Sequence, residues 1–182
     1  MQQVLSAIKA GADVNAQSEA GMTVLHIAAG KNQNPKIIKA LIKAGADINA
    51  LSKHGALTPF IEASRINQNP NIITALIEAG ADIHARCITT ETALMWAARV
   101  NQNPEIITVL VSAGIDVNAR DEDDSTALML AAAYTRNPDV ITALLNNGAD
   151  KNLRCDLGIT ASDYAKNNNN LKNTDILRQL SP

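Results

Sequence analysis

The chain has 182 residues, 46% of them hydrophobic but only 2% aromatic, and a formal net charge of −2. With no broad basic field to attract phosphate or anionic lipid, neither nucleic acid nor a membrane surface is an expected partner. No apolar run approaches the roughly 18 residues of a membrane span, and no secretory leader is visible at the start.

The first ten residues carry Met1, Val4, Leu5 and Ile8 at helical spacing before Gly11. A threonine then recurs at Thr23, Thr58, Thr92, Thr126 and Thr160, with steps of 35, 34, 34 and 34 residues. Pro35, Pro70, Pro104 and Pro138 follow the first four threonines by 12 residues, and Gly45, Gly80, Gly114 and Gly148 follow the prolines by 10. A period of this length means a stacked array, because one unit cannot bury its apolar face alone. The longer step falls in the loop between Gly45 and Thr58, where an insertion is tolerated.

Each unit reads as two helices and a loop. The threonine can N-cap the first helix, and Asn-Pro starts the second, with Asn as cap and Pro where its missing N–H costs nothing. Glycine ends the second helix in the left-handed conformation. The predicted pairs are 23–31 and 35–44, 58–66 and 70–79, 92–100 and 104–113, and 126–135 and 138–147. After Thr160 the pattern loosens into Asn167–Asn170 and a polar closing segment, as a terminal cap should. The aromatic residues are only Phe60, Trp96, Tyr134 and Tyr164, so Ala, Leu, Ile and Val must build the core.

These residues resemble the ankyrin repeat. T-V-L-H-I-A-A at 23–29 and the G-A-D-V-N-A type segments at 11–16, 45–50 and 114–119 carry the resemblance over essentially the whole chain. It implies an all-α solenoid of stacked helix-turn-helix units with projecting hairpin loops. The units would be one partial copy over 1–18, full repeats over 19–52, 53–87, 88–121 and 122–155, and a cap over 156–182. First helices would line a concave face and second helices a convex back. The implied function is non-enzymatic: binding of a protein or peptide partner through the concave face and hairpin tips, by a monomer without cofactor. The alternative is a structural spacer within a longer ankyrin or multidomain protein, since Met1 falls mid-repeat.

Several positions depart from the family pattern. N-Q-N-P replaces the usual Gly-His between the helices, and histidine is kept only at His26, where it should bond Thr23. Thr90 and Asp124 replace the loop glycine kept at Gly21, Gly55 and Gly158, and Ile115 should crowd its turn. Asn15, Asn49, Asn118 and Asn152 occupy a position hydroxylated in some eukaryotic relatives; a turn residue bonding its own backbone is the expected role.

No catalytic or metal-binding constellation is present. His26, His54 and His84 fall at three different repeat positions, and no His/Cys spacing suits zinc. Asp121 to Asp124 lack the ligand alternation of a calcium loop and read as a solvated tip or an acidic contact for a basic partner. Cys87 and Cys155 sit two units apart, about 20 Å from helix spacing, too far for a disulfide. Unpaired thiols favour a reducing, cytoplasmic setting.

The binding residues are sought where copies differ. Four residues after the threonine stand Ile27, Glu62, Trp96, Leu130 and Tyr164; eight after stand Lys31, Ile66, Val100, Tyr134 and Asn168. These two positions share a helix face. The expected site is an apolar groove of Ile66, Trp96, Val100, Leu130 and Tyr134, with Glu62 and Glu91 at its rim and Asp123 at a tip. Equally open is that Trp96 merely packs between repeats.

Overall fold

The computed structural model describes residues 6–8, 10–53, 55–172 and 174–181. Within these residues each threonine opens a helix: α1 (Val24–Lys31), α3 (Pro59–Ile66), α5 (Ala93–Val100), α7 (Ala127–Tyr134) and α9 (Ala161–Asn167). The second helices are α2 (Pro35–Lys43), α4 (Pro70–Glu78), α6 (Pro104–Ser112), α8 (Pro138–Asn146) and the short α10 (Ile176–Leu180). The expected caps are present. Thr58 Oγ1 accepts from Ile61 N at 3.2 Å, and Thr92 Oγ1 from Met95 N at 3.3 Å. Asn34, Asn69, Asn103 and Asn137 each accept from the backbone N–H two residues on, at 3.0 Å.

Like packs on like. First helices stack α1 on α3 on α5 on α7 on α9, and second helices stack α2 on α4 on α6 on α8 on α10. Between them lies one continuous core. Leu25, Phe60, Leu94 and Leu128 are buried, as are Ala29, Ala63, Ala97, Ala98, Ala131 and Ala132 on the same helices. The small alanines let the first helices approach closely, while Ile72, Ile73, Leu76, Ile106, Ile107 and Leu110 fill the space beneath the second helices.

Side-chain amides stitch unit to unit. Asn67 Nδ2 donates to Ala29 O and Asn32 O, at 2.7 and 2.8 Å. Asn101 repeats this on Ser64 O and Asn67 O, and Asn168 on Ala132 O and Thr135 O. Asn69, Asn103 and Asn137 reach back to Gln33 O, Gln68 O and Gln102 O. These bonds satisfy carbonyls at the ends of buried helices that would otherwise lose water without gaining a partner. N-Q-N therefore does more than end a helix.

The hairpin asparagines act differently from the expectation. Asp13, Asp47 and Asp116 supply the local turn bonds, to the N–H of Asn15, Asn49 and Asn118. Asn15 instead spans the junction, donating to Gly45 O and accepting from Asp47 N, and Asn118 does the same with Gly148 and Asp150. Each is thus committed to the next unit.

At the tips, Thr90 and Asp124 have φ of 56° and 57°, beside 74° for Gly21 and Gly158. The left-handed turn is kept although the residue is not glycine, at some cost in strain. Glycine is needed at Gly21 for a second reason: an added Cβ would collide with Lys53 N. Ile115 is accommodated; it is buried, and its N–H still reaches Leu110 O at 3.3 Å, against 3.0 Å for Ala46 to Leu41 O.

Candidate protein-binding surface

Position four of the first helix faces the preceding unit, so its environment depends on what that unit presents. In α1 the facing residue is Gly30. A Cβ there would lie 2.9 Å from Ile66 Cδ1 and 3.3 Å from Glu62 Cγ. Glu62 and Ile66 are therefore pressed onto the glycine. Glu62 is buried and held by Arg65, with Nε and Nη2 each 2.9 Å from its carboxylate. It forms no rim to a groove, and Ile66 is half-buried beside it.

One unit later Arg65 stands where α1 has Gly30, and two units later Arg99 does, on the same helix as Trp96. The Arg99 guanidinium lies 4.2 Å from the Trp96 ring centroid and that of Arg65 6.0 Å away. Trp96 is half-buried, with its indole N–H on Cys87 Sγ at 3.4 Å. Arg99 also grips Glu91, with Nη1 3.0 Å from Oε1 and Nη2 3.1 Å from Oε2. Thr89 Oγ1 donates to Glu91 Oε2 at 2.7 Å. Glu91 is buried, not a rim residue, because this set of donors replaces its water.

Beside this clamp opens a cleft of about 450 Å³. Its walls come from three units: Trp96 and Arg99 on α5, Leu130 and Tyr134 on α7, and Tyr164 on α9. The tips of two hairpins close one side, through Ile88 and Thr89 and through Asp121, Glu122 and Asp123. Of the expected residues, the cleft gathers Glu91, Trp96, Leu130, Tyr134 and Asp123. Val100 is 37% exposed but lies outside it, as do Glu62 and Ile66. Tyr134 is 60% exposed and Ile88 74%. Tyr164 is held from below: Cys155 Sγ lies 3.6 Å from its hydroxyl, and this hydrogen bond, with burial, raises the phenol to about 12.

Arg99 was not among the expected residues. Its spacing three after Trp96 places the two on one side of α5; Glu91 lies just before the Thr92 cap, outside the helix, and helical spacing gives no signal for its pairing with Arg99. Arg86, Arg120 and Arg154 form a second unforeseen row. Arg86 Nη1 bonds Thr90 O and Arg120 O, at 2.6 and 2.8 Å, and Arg120 Nη1 bonds Asp124 O and Arg154 O. This row fixes the hairpin tips relative to one another. His26 serves the fold as expected, with Nδ1 2.9 Å from Thr23 Oγ1, and its Nε2 reaches Leu57 O across the junction. His54 lies outside the described residues. Cys87 and Cys155 are both free thiols and buried.

Among the described residues no cluster of three His, Cys, Asp or Glu is placed to hold a metal. Among the described residues no helix is long and apolar enough to cross a membrane. A family profile described as ankyrin repeats (3 copies) matches residues 2–87 and 60–155. No curated protein matches the chain. Ankyrin repeats are generally protein–protein interaction modules and typically not enzymes. With the profile spanning most of the sequence and the stacked helix pairs agreeing with it, the chain belongs to the ankyrin repeat family.

Proposed function

We propose that the chain is a protein-binding scaffold that holds a peptide segment of its partner in the cleft between the hairpin tips and helices α5 and α7. The observation that carries this reading is the cleft's wall of Trp96, Leu130 and Tyr134 over about 450 Å³. Aromatic side chains concentrate binding energy at protein interfaces, because they contribute large area at small entropic cost. Tyr134 is 60% exposed and Ile88, in the same lining, 74%, and a grouped exposed apolar surface marks an interaction site where a single exposed side chain would not. The surrounding framework is rigid: the asparagine and arginine rows hold tips and helices in register before any partner arrives, so little ordering cost remains for binding.

The test is a display selection of random peptides on the immobilised chain. The enriched peptides are then synthesised and titrated against wild type and Tyr134→Ala. Tyr134 is peripheral to the core, so its truncation should leave the melting temperature unchanged. Loss of binding by about tenfold or more supports the cleft. Peptides that bind the variant as tightly as wild type place the binding elsewhere and refute it.

A further inference from the structure

The cleft is apolar on its helical side and acidic on its loop side. Asp121, Glu122 and Asp123 line it, and no ion pair among the described residues involves any of the three. Asp121 is partly engaged, accepting from Asp123 N at 3.0 Å and Ser125 N at 2.8 Å. Glu122 and Asp123 are exposed. The one guanidinium in the lining, that of Arg99, is spent on Glu91 and stacked on Trp96. It does not neutralise the tip. Two exposed carboxylates without an ion pair, Glu122 and Asp123, and the backbone-bonded Asp121 thus line the cleft beside its aromatic wall, in a chain whose net charge is only −2.

We propose that the occupant of this cleft is a partner segment carrying a lysine or arginine next to an apolar side chain. The proposal rests on the peptide-binding reading above. The apolar side chain packs on Leu130 and Trp96. The basic side chain lays its aliphatic stem along Tyr134, as long cationic side chains do on apolar surface, and brings its charged end to Glu122 and Asp123. Two features favour a cation. The carboxylates sit at the mouth of a concave site, where low-dielectric walls strengthen their field. The exposed face of Tyr134 attracts a cation through its ring quadrupole. Arg99 shows the same pairing inside the protein, with a guanidinium between a carboxylate and an aromatic ring. An acidic or phosphorylated segment is disfavoured by the same charges.

The experiment uses the peptides enriched in the selection on the full chain. Each is titrated against wild type, Tyr134→Ala and the double variant Glu122→Gln with Asp123→Asn, at about 50 and about 500 mM salt. The double variant changes only exposed tip side chains, and its melting curve serves as the folding control. The expected result is a recurrent lysine or arginine beside an apolar residue. Affinity should drop about tenfold in the double variant, with most of the salt dependence lost. Replacing the peptide's basic residue by norleucine should cost the same and add nothing in the double variant. Enriched peptides that need Tyr134 but carry no shared basic residue, or that ignore the tip variant, overturn this proposal and leave the cleft as a neutral groove. Peptides indifferent to Tyr134→Ala overturn the underlying reading as well.

Discussion

The junction between α1 and α3 and the junction between α3 and α5 use the same repeat positions to opposite ends. At the first, Gly30 lets Glu62 and Ile66 sink against it, and the surface there is closed. At the second, Arg65 stands at the glycine's position and, together with Arg99 from Trp96's own helix, lies over the Trp96 ring, which still lines a cleft. A varied position on a repeat is therefore not by itself a binding position. What decides is which side chains, from the adjoining unit and from its own helix, cover it.

The largest expected effect comes from breaking the second junction. Arg99→Ala leaves the buried Glu91 carboxylate without its guanidinium and should cost about 3 kcal/mol in denaturant unfolding. It should also shift the Trp96 emission to the red, as the ring loses its cover. An unchanged emission would mean that Arg99 does not shield the ring.

The first junction can be opened on purpose. Gly30→Arg gives α1 the residue type found at the same position of α3 and α5. Its Cβ must displace the Ile66 methyl, so a loss of about 2 kcal/mol is expected. Ile66 should become more exposed, which hydrogen–deuterium exchange over α3 would register. A variant as stable and as protected as wild type would show that glycine is not what closes this junction.

A smaller effect, of opposite sign, concerns the stitching. Asn67, Asn101 and Asn168 each donate to two carbonyls of the preceding unit, whereas Thr135 stands at that position in the fourth unit and its hydroxyl bonds within its own turn, to Asn137. Thr135→Asn should restore the pair of bonds and raise stability by about 1 kcal/mol. No gain, or a loss, would contradict the role given to this row.

The smallest effect lies at the C-terminal unit. Asp163 is held below the usual carboxylate range, first by its hydrogen bond from Lys166 and then by those from the Thr160 hydroxyl and N–H. A lowered folded-state pKa contributes stability above the ordinary carboxylate range, and that contribution is lost as pH falls into strong acid. Asp163→Asn should lower the melting temperature slightly at neutral pH and flatten its fall on the acid side, where the wild type loses the same contribution. A profile parallel to wild type would show that the cap carries no such linkage.

The fold was legible because its determinants are local and repeated. Threonine and Asn-Pro caps set every predicted helix start to within one residue of the observed one, and the alanine and leucine positions form the core. The candidate site was legible only in part. Trp96, Leu130, Tyr134 and Asp123 converge, because the repeat period itself places them side by side. Glu62 lies outside the cleft and Glu91 lines it but is buried, because burial of a carboxylate depends on partners that periodicity does not reveal: Gly30 across a junction for one, Arg99 and Thr89 for the other. The asparagine rows were missed for a similar reason. Their partners lie 33 to 38 residues away, and only stacking brings them within reach.

Trp96 is the chain's single tryptophan and lines the proposed site, so it reports on the central claim directly. The measurement is a fluorescence titration of the wild-type chain with a selected peptide, run alongside calorimetry. The account predicts that the emission changes and saturates at the same peptide concentration as the heat. Calorimetric binding with no change in Trp96 emission would contradict it, since the partner would then occupy some other surface.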